Sequence, residues 1–485
     1  MSHYQILGIL LAYFGVLIVI SWLSGKNTDA TSFYTGNKKS PWFLVAFGMI
    51  GASLSGVTFL SVPGWVANTH FGYMQTVLGY MVGYLIIAQV LIPLYYTKNL
   101  TSIYTYLETR FGLVSYKTGA AYFLISRIIG ASFRLFLIAG VLHSVVFAPF
   151  NIPYWGAVAI TILLIFTYTA KSGIKTVVYT DALQTFFLVT AVILTIVFIV
   201  QQLDWSIAET VSNLMADPNT QIFHFEGNGA NVFWKQFLGG AFIALAMTGL
   251  DQDMMQKNLS IKNIRGAQKN IYIQMVMFIV VNIIFLSLGA LLYQYVDIMG
   301  ITGVQKSDQL FTTIAVQHAT PVVGIFFIVG LVAAAYSSAD SALTALTTSF
   351  CVDFLGFERT KPTNITMRRI VHIGFAVILF FTILLFNNLN DGAVIKELFR
   401  AAGFTYGPLL GLFSFGILTR RRVQDKYVLA ITLFSIGLTA IYFYGMPKII
   451  EGFEPGFELI IINGGISFVL LWANSIFTPQ HTNEP

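Results

Sequence analysis

Ala333-Ala334-Ala335-Tyr336-Ser337-Ser338-Ala339-Asp340-Ser341-Ala342-Leu343-Thr344 sits inside an apolar run over residues 319–350 in which Asp340 is the only charge. Such a run is longer than the roughly 20 residues a helix needs to cross about 30 Å of hydrocarbon. An ionisable group at that depth costs at least about 2.5–3.5 kcal/mol on insertion scales, so Asp340 is expected to face a cavity or a partner. Residues three and four apart share a helix face, which brings Ala334, Ser337, Ser338 and Ser341 together. Their oxygens suit a hard alkali cation. The same small residues would equally serve as a close-packing surface between helices.

Working outward, similar apolar segments recur along all 485 residues, with 56% hydrophobic and only 10% charged residues. A soluble domain carries about 25% charged residues, so the bilayer is the expected solvent. The segments fall at 6–23, 42–62, 73–96, 119–147, 154–170, 177–201, 233–250, 271–295, 319–350, 369–386, 394–418, 427–445 and 456–477, which makes thirteen spans. Ile6 to Leu23 has neither a basic stretch before it nor an A-x-A-like cleavage site after it, so a retained leader helix is expected. Of the 27 Lys and Arg residues, 20 lie in alternate loops on one side, Lys257, Lys262, Arg265 and Lys269 among them. By the positive-inside rule that side is cytoplasmic, the N-terminus is outside and the C-terminus is in the cytoplasm. The protein is therefore expected to be a multi-pass protein of the cell membrane, with the lipid bilayer as a partner.

Several function classes lose their footing at once. The net charge of +6 is spread over loops and not gathered into a patch, so nucleic acid is not an expected partner. Cys351 is the only cysteine, which leaves no disulfide framework and no cysteine metal site. No G-x-x-x-x-G-K-[ST] stretch is present, against an ATP-driven pump. No span pairs a nucleophile with a general base, so an enzyme is not expected and no cofactor is called for.

Intramembrane charge is the sharper filter. By these boundaries Asp181 and Asp340 are the acidic residues well inside spans, with Arg127 and Arg134 as their basic counterparts. Asp181 stands near the cytoplasmic entrance of its span, where wetting at the interface is an alternative. The two arginines are seven residues apart, about 20° from eclipsed, so both can face one side. A guanidinium grips a carboxylate with a two-pronged fork, which points to an anionic solute. Internal pairing with Asp340 or Asp181 is the competing reading.

Glycine marks where helices are expected to unwind. Gly48 to Thr58 is rich in glycine and hydroxyls at mid-span, and Leu238-Gly239-Gly240-Ala241 through Thr248-Gly249 has the same character. Five spans separate the starts of these segments, as an inverted 5+5 repeat requires, and binding at the unwound midplane is the usual consequence.

Four stretches then resemble the sodium:solute symporter family: Ser53-Leu54-Ser55-Gly56-Val57-Thr58-Phe59-Leu60-Ser61-Val62-Pro63; Gly173-Ile174 through Thr180-Asp181 and Gln184; Ser337-Ser338 through Thr344; and Gly403-Phe404-Thr405-Tyr406-Gly407-Pro408-Leu409-Leu410-Gly411. The resemblance implies an all-α integral membrane protein with a leucine-transporter-type bundle. Within a single domain over 1–485 it has the leader helix at 6–23, a first repeat at 42–201, a second at 233–418 and trailing helices at 427–477. It implies a sodium site made by carbonyls of Gly51 and Leu54 with Ala334, Ser337 and Ser338. A second sodium or proton would use Asp181, Ser338, Asp340 and Ser341; Asp340 departs from the hydroxyl that the family pattern has. Ser53, Ser55, Thr58 and Tyr80 are the implied solute contacts, in a first-helix pattern similar to that of sialic acid transporting members. Arg134 is at the matching position for a carboxylate clamp, with Arg127 not excluded.

The expectation is thus a symporter that imports a small organic solute with sodium by alternating access, an organic acid such as sialic acid being the sharp guess. A proton-coupled carrier, a sodium-coupled carrier of a neutral solute such as a sugar, amino acid or vitamin, and a channel are the alternatives.

Overall fold

The computed structural model describes residues 3–24, 38, 40–54, 56–302, 307–357, 362–389 and 394–478. In chain order the principal helices are α1 (His3–Ser24), α2 (Trp42–Leu54), α3 (Gly56–Thr69), α4 (Tyr73–Ile86), α5 (Ile92–Thr97), α6 (Thr105–Arg110), α7 (Leu113–Leu142), α8 (Tyr154–Gln202), α9 (Ile207–Ala216), α10 (Phe233–Ala244), α11 (Gln252–Leu259), α12 (Ile264–Met299), α13 (Leu310–Thr313), α14 (Pro321–Ser349), α15 (Ile365–Leu389), α16 (Val394–Leu418), α17 (Val428–Ile449) and α18 (Leu459–Ile476). No extended strand occurs among the described residues, and ten helical stretches are long and apolar enough to cross a bilayer. Of the other expected spans, 73–96 lies within the long stretch Gly56–Thr97, Trp42–Leu54 and Tyr154–Thr167 are shorter apolar helices, and 233–250 is interrupted as described below.

Contacts show where the chain reverses. Ser53 meets Gln274 and Gly64 meets Tyr293, so α2 and α3 run parallel to α12. Tyr80 meets Phe278 and Ala88 meets Gln268, so α4 runs against it. The reversal falls at His70, whose φ of 53° is the left-handed value that a tight turn uses. On α8, Thr161 lies beside Tyr336 while Asp181 accepts a hydrogen bond from Ser337. Twenty residues of straight helix would separate those two positions by about 30 Å. Helix α8 therefore does not run straight but bends back between Thr161 and Asp181.

The serine helix is central. Buried residues make up 82% of the most apolar window of α14, against 22% for α17, so α14 is walled by protein and α17 by the surroundings. Glycines set the closest approaches: a Cβ at Gly79 would meet the carbonyl of Phe237, and one at Gly240 the backbone of Thr76. Small residues that let membrane helices touch backbone to backbone do so here between α4 and α10.

The span expected at 233–250 extends further than its apolar run. Helix α10 passes through one wide turn, Leu245–Gly249, and then unwinds at Leu250 and Asp251 before α11 takes over. Asp251 is extended, at φ −102° and ψ 121°, and its carboxylate accepts hydrogen bonds from the backbone N–H groups of Asp253 (2.9 Å) and Met254 (3.2 Å). That is an N-cap, the usual device for starting a helix whose first donors have no partner. All eight residues of α11 are buried. Lys257, expected in a cytoplasmic loop, is thus inside the protein, because a half-helix walled by protein tolerates charge that lipid would not.

Candidate functional site

Helix α14 delivers Ser337 to α8. The Ser337 hydroxyl donates to Asp181 Oδ1 at 2.7 Å, and Lys257 Nζ lies 2.7 Å from Asp181 Oδ2. Asp181 is fully buried, so it is not the interfacial, wetted carboxylate that its sequence position allowed. Lys257 is also 4.0 Å from Asp253 Oδ1. Arg127 binds the other oxygen of Asp253 and lies 3.8 Å from Asp251 Oδ2, and the Tyr406 hydroxyl donates to Asp251. A continuous polar chain therefore runs from Ser337 through Asp181, Lys257, Asp253, Arg127 and Asp251 to Tyr406. Each charge in it is at most 4% exposed, and buried charges persist only when paired in this way.

The first glycine-rich span is pressed onto the same place. A Cβ at Gly48 would meet Asp181, one at Gly51 would meet Thr185, and one at Gly56 would meet Ile138 with Ala334 at 3.9 Å. Thr185 donates to the carbonyls of Phe47 (3.1 Å) and Asp181 (2.8 Å), which ties α2 to α8. On α14 the hydroxyls of Ser338, Ser341 and Thr344 are buried without a hydrogen-bond partner, and Asp340 accepts from the backbone N–H of Ser341. Buried hydroxyls without partners are costly unless something fills their lone pairs. The oxygen-only donor set fits an alkali cation.

A cavity of about 60 Å³ is lined by Ser53, Thr58, Tyr73, Tyr80, Tyr84, Thr248 and Arg134, with Met247, Met254, Phe278 and Phe399 as apolar walls. The mix of aromatic walls with a few polar groups is that of a small-molecule site. Ser53 accepts from Gln274 Nε2 at 3.0 Å, and the hydroxyls of Tyr73 and Tyr80 are 3.4 Å apart. Arg134 is 7% exposed, and its Nε and Nη1 have no hydrogen-bond partner. Ser55 lies outside the described residues.

The two arginines part company here. Arg127 is absent from the walls of this cavity and lines, with Arg134 and Tyr406, a narrower crevice of about 10 Å³ beside it. Internal pairing was foreseen for it with Asp340 or Asp181; its actual partners are Asp253 and Asp251. Those two, Lys257, Tyr73, Tyr84 and Thr248 are the residues that the sequence reading missed. One signal was available: Asp253 and Lys257 are spaced i, i+4 on a short helix directly after a glycine-rich span.

The model of the sodium:solute symporter family matches residues 33–425. The chain belongs to this family. The sodium/sialic acid symporter NanT of Aliivibrio fischeri is 25% identical over 446 residues, covering 87% of this chain and 84% of that protein. The sodium-coupled monocarboxylate transporter 1 of Mus musculus is 24% identical over 422 residues, covering 85% and 68% respectively. Among solved structures, a substrate-bound, outward-open sodium-coupled sialic acid symporter aligns with a TM-score of 0.83 at 18% identity, over 98% of each chain. The nucleobase-cation-symport-1 family transporter Mhp1, in a closed conformation, aligns with a TM-score of 0.60 at 14% identity, over 93% of this chain and 95% of that one. The fold is thus the helical bundle of these transporters. Membership makes this protein a multi-pass membrane transporter and not an enzyme.

Proposed function

We propose that this symporter imports a small organic acid with sodium, gripping the solute carboxylate with Arg134. The observation that carries the reading is a buried guanidinium that lines the cavity with two N–H-bearing nitrogens unpartnered. A cation held in a low-dielectric wall without a protein acceptor is complementary to an incoming carboxylate. The relatives named for sialic acid and for monocarboxylates both act on carboxylates, which supports the same class. Ser53, Ser55, Thr58 and Tyr80 supply hydroxyls for the rest of the solute.

Sodium takes the carbonyls of Gly51, Leu54 and Ala334 and the hydroxyls of Ser337 and Ser338. Binding there joins α2 to α14 and favours the outward-facing state, in which the solute cavity above is complete. When sodium leaves to the cytoplasm that bond between helices is lost, and the solute follows. The chain makes thirteen passes, with its N-terminus outside and its C-terminus in the cytoplasm. The passes form an inverted repeat (42–201 and 233–418) behind the leader helix at 6–23, and the trailing helices occupy 427–477.

Uptake into proteoliposomes tests this. An inward sodium gradient is expected to drive accumulation of a labelled carboxylate such as sialic acid or lactate, and choline in place of sodium to abolish it. Accumulation that follows pH and ignores sodium would overturn the coupling, and accumulation of neutral solutes alone would overturn the solute class.

A further inference from the structure

The sequence places a second sodium or a proton at Asp181, Ser338, Asp340 and Ser341, yet both oxygens of Asp181 are already engaged, one by the Ser337 hydroxyl and one by the Lys257 ammonium. We propose that Lys257 is the resident cation of this corner, so that the protein carries one mobile sodium, at Gly51, Leu54, Ala334, Ser337 and Ser338, and none beside Asp181. The proposal rests on the sodium-coupled reading above.

One observation and two physical arguments carry it. The ammonium lies 2.7 Å from Asp181 with both side chains 1% exposed, so this is a fully desolvated ion pair and not a solvated loop lysine. An ammonium is a compact monovalent point charge on a flexible stem, the side chain closest in character to a bound alkali ion. A second mobile cation on the same carboxylate would sit against it in a region where repulsion is little screened.

Helix α11 also holds the lysine in place. Asp253 one turn earlier lies 4.0 Å from Nζ and is itself bound by Arg127, so the charge is tethered from behind. Met254 of the same helix lines the solute cavity, which makes α11 a rigid element touching both the solute and the ion corner. With its proton directed at Asp181, Ser337 keeps its oxygen lone pairs free to serve the mobile sodium.

The test is sodium stoichiometry, measured by equilibrium binding of ²²Na⁺ to purified protein and by the sodium dependence of solute uptake. The wild-type protein is expected to bind one sodium per chain, with a Hill coefficient of about 1. Lys257→Met empties the corner and is expected to admit a second sodium, with two bound per chain and a Hill coefficient rising above about 1. Lys257→Met combined with Asp181→Asn removes both charges and is expected to return binding to one. Two sodium ions per wild-type chain would overturn the proposal, whatever the fate of the variants. So would one sodium per chain in a folded Lys257→Met protein. Absence of any sodium binding by the wild type would instead sink the sodium-coupled reading itself, so the two failures are distinguishable.

Discussion

Replacing Arg134 by alanine separates a solute-binding role from a structural one. Its Nε and Nη1 make no hydrogen bond within the protein, so truncation breaks no internal pair and leaves no protein carboxylate stranded. The folded protein is expected to keep its thermal stability, or to gain a little from losing a buried charge without a partner. The solute loses the group that neutralises it. Removing one partner of a buried, hydrogen-bonded charge pair costs about 2–5 kcal/mol. At about 1.4 kcal/mol per tenfold, that is roughly a 30- to 4,000-fold loss of affinity. Arg134→Lys keeps the charge but loses the fork, so it is expected to recover only part of the loss. The assay is calorimetric titration of purified protein with carboxylate solutes in sodium buffer, beside a thermal melt. Affinity within about twofold of wild type, a difference of only ~0.4 kcal/mol, would refute the clamp. A large fall in melting temperature with no specific loss of carboxylate binding would refute the premise that the guanidinium is structurally idle.

Arg127→Ala is expected to do the opposite, destabilising the protein by about 3–5 kcal/mol because Asp253 and Asp251 lose their counter-ion, which a thermal melt without solute reads directly. Ser338→Ala removes a hydroxyl that bonds nothing in the protein, so the melt without sodium is expected to be unchanged while the sodium concentration for half-maximal uptake rises about tenfold, the equivalent of ~1.4 kcal/mol. In the loop between α8 and α10, burial and then the neighbouring His70 hold His224 below the ordinary histidine value of 6.5. A depressed histidine pKa means that the unfolded loop binds the proton better, so the stability of the loop is fully present above about 6.5 and is lost as pH falls below it. Limited proteolysis of residues 204–232 across pH 5 to 7.5 is expected to show this, and His224→Gln to flatten the profile.

Much of the architecture was legible because lipid imposes a simple rule: a long apolar run with few charges has no good alternative to spanning. The serine helix followed from run length and helical spacing, whereas Arg134 was set apart from Arg127 by the family resemblance alone. The rule fails where protein replaces lipid as the wall. Gln252–Leu259 carries Asp253 and Lys257, reads as a loop by its polarity, and is nevertheless buried, because each charge finds a partner far away in sequence. Arg127 and Arg134 look alike seven residues apart on one helix. What distinguishes them is a carboxylate pair more than a hundred residues later, at an unwound segment that glycine placed only approximately.

Sodium and solute binding measured each in the presence of the other, on purified protein, addresses the coupling most directly. The account requires that sodium tighten the carboxylate solute and that the solute tighten sodium by the same factor, since linkage is reciprocal. Solute affinity that is identical in sodium and in choline buffer would contradict it.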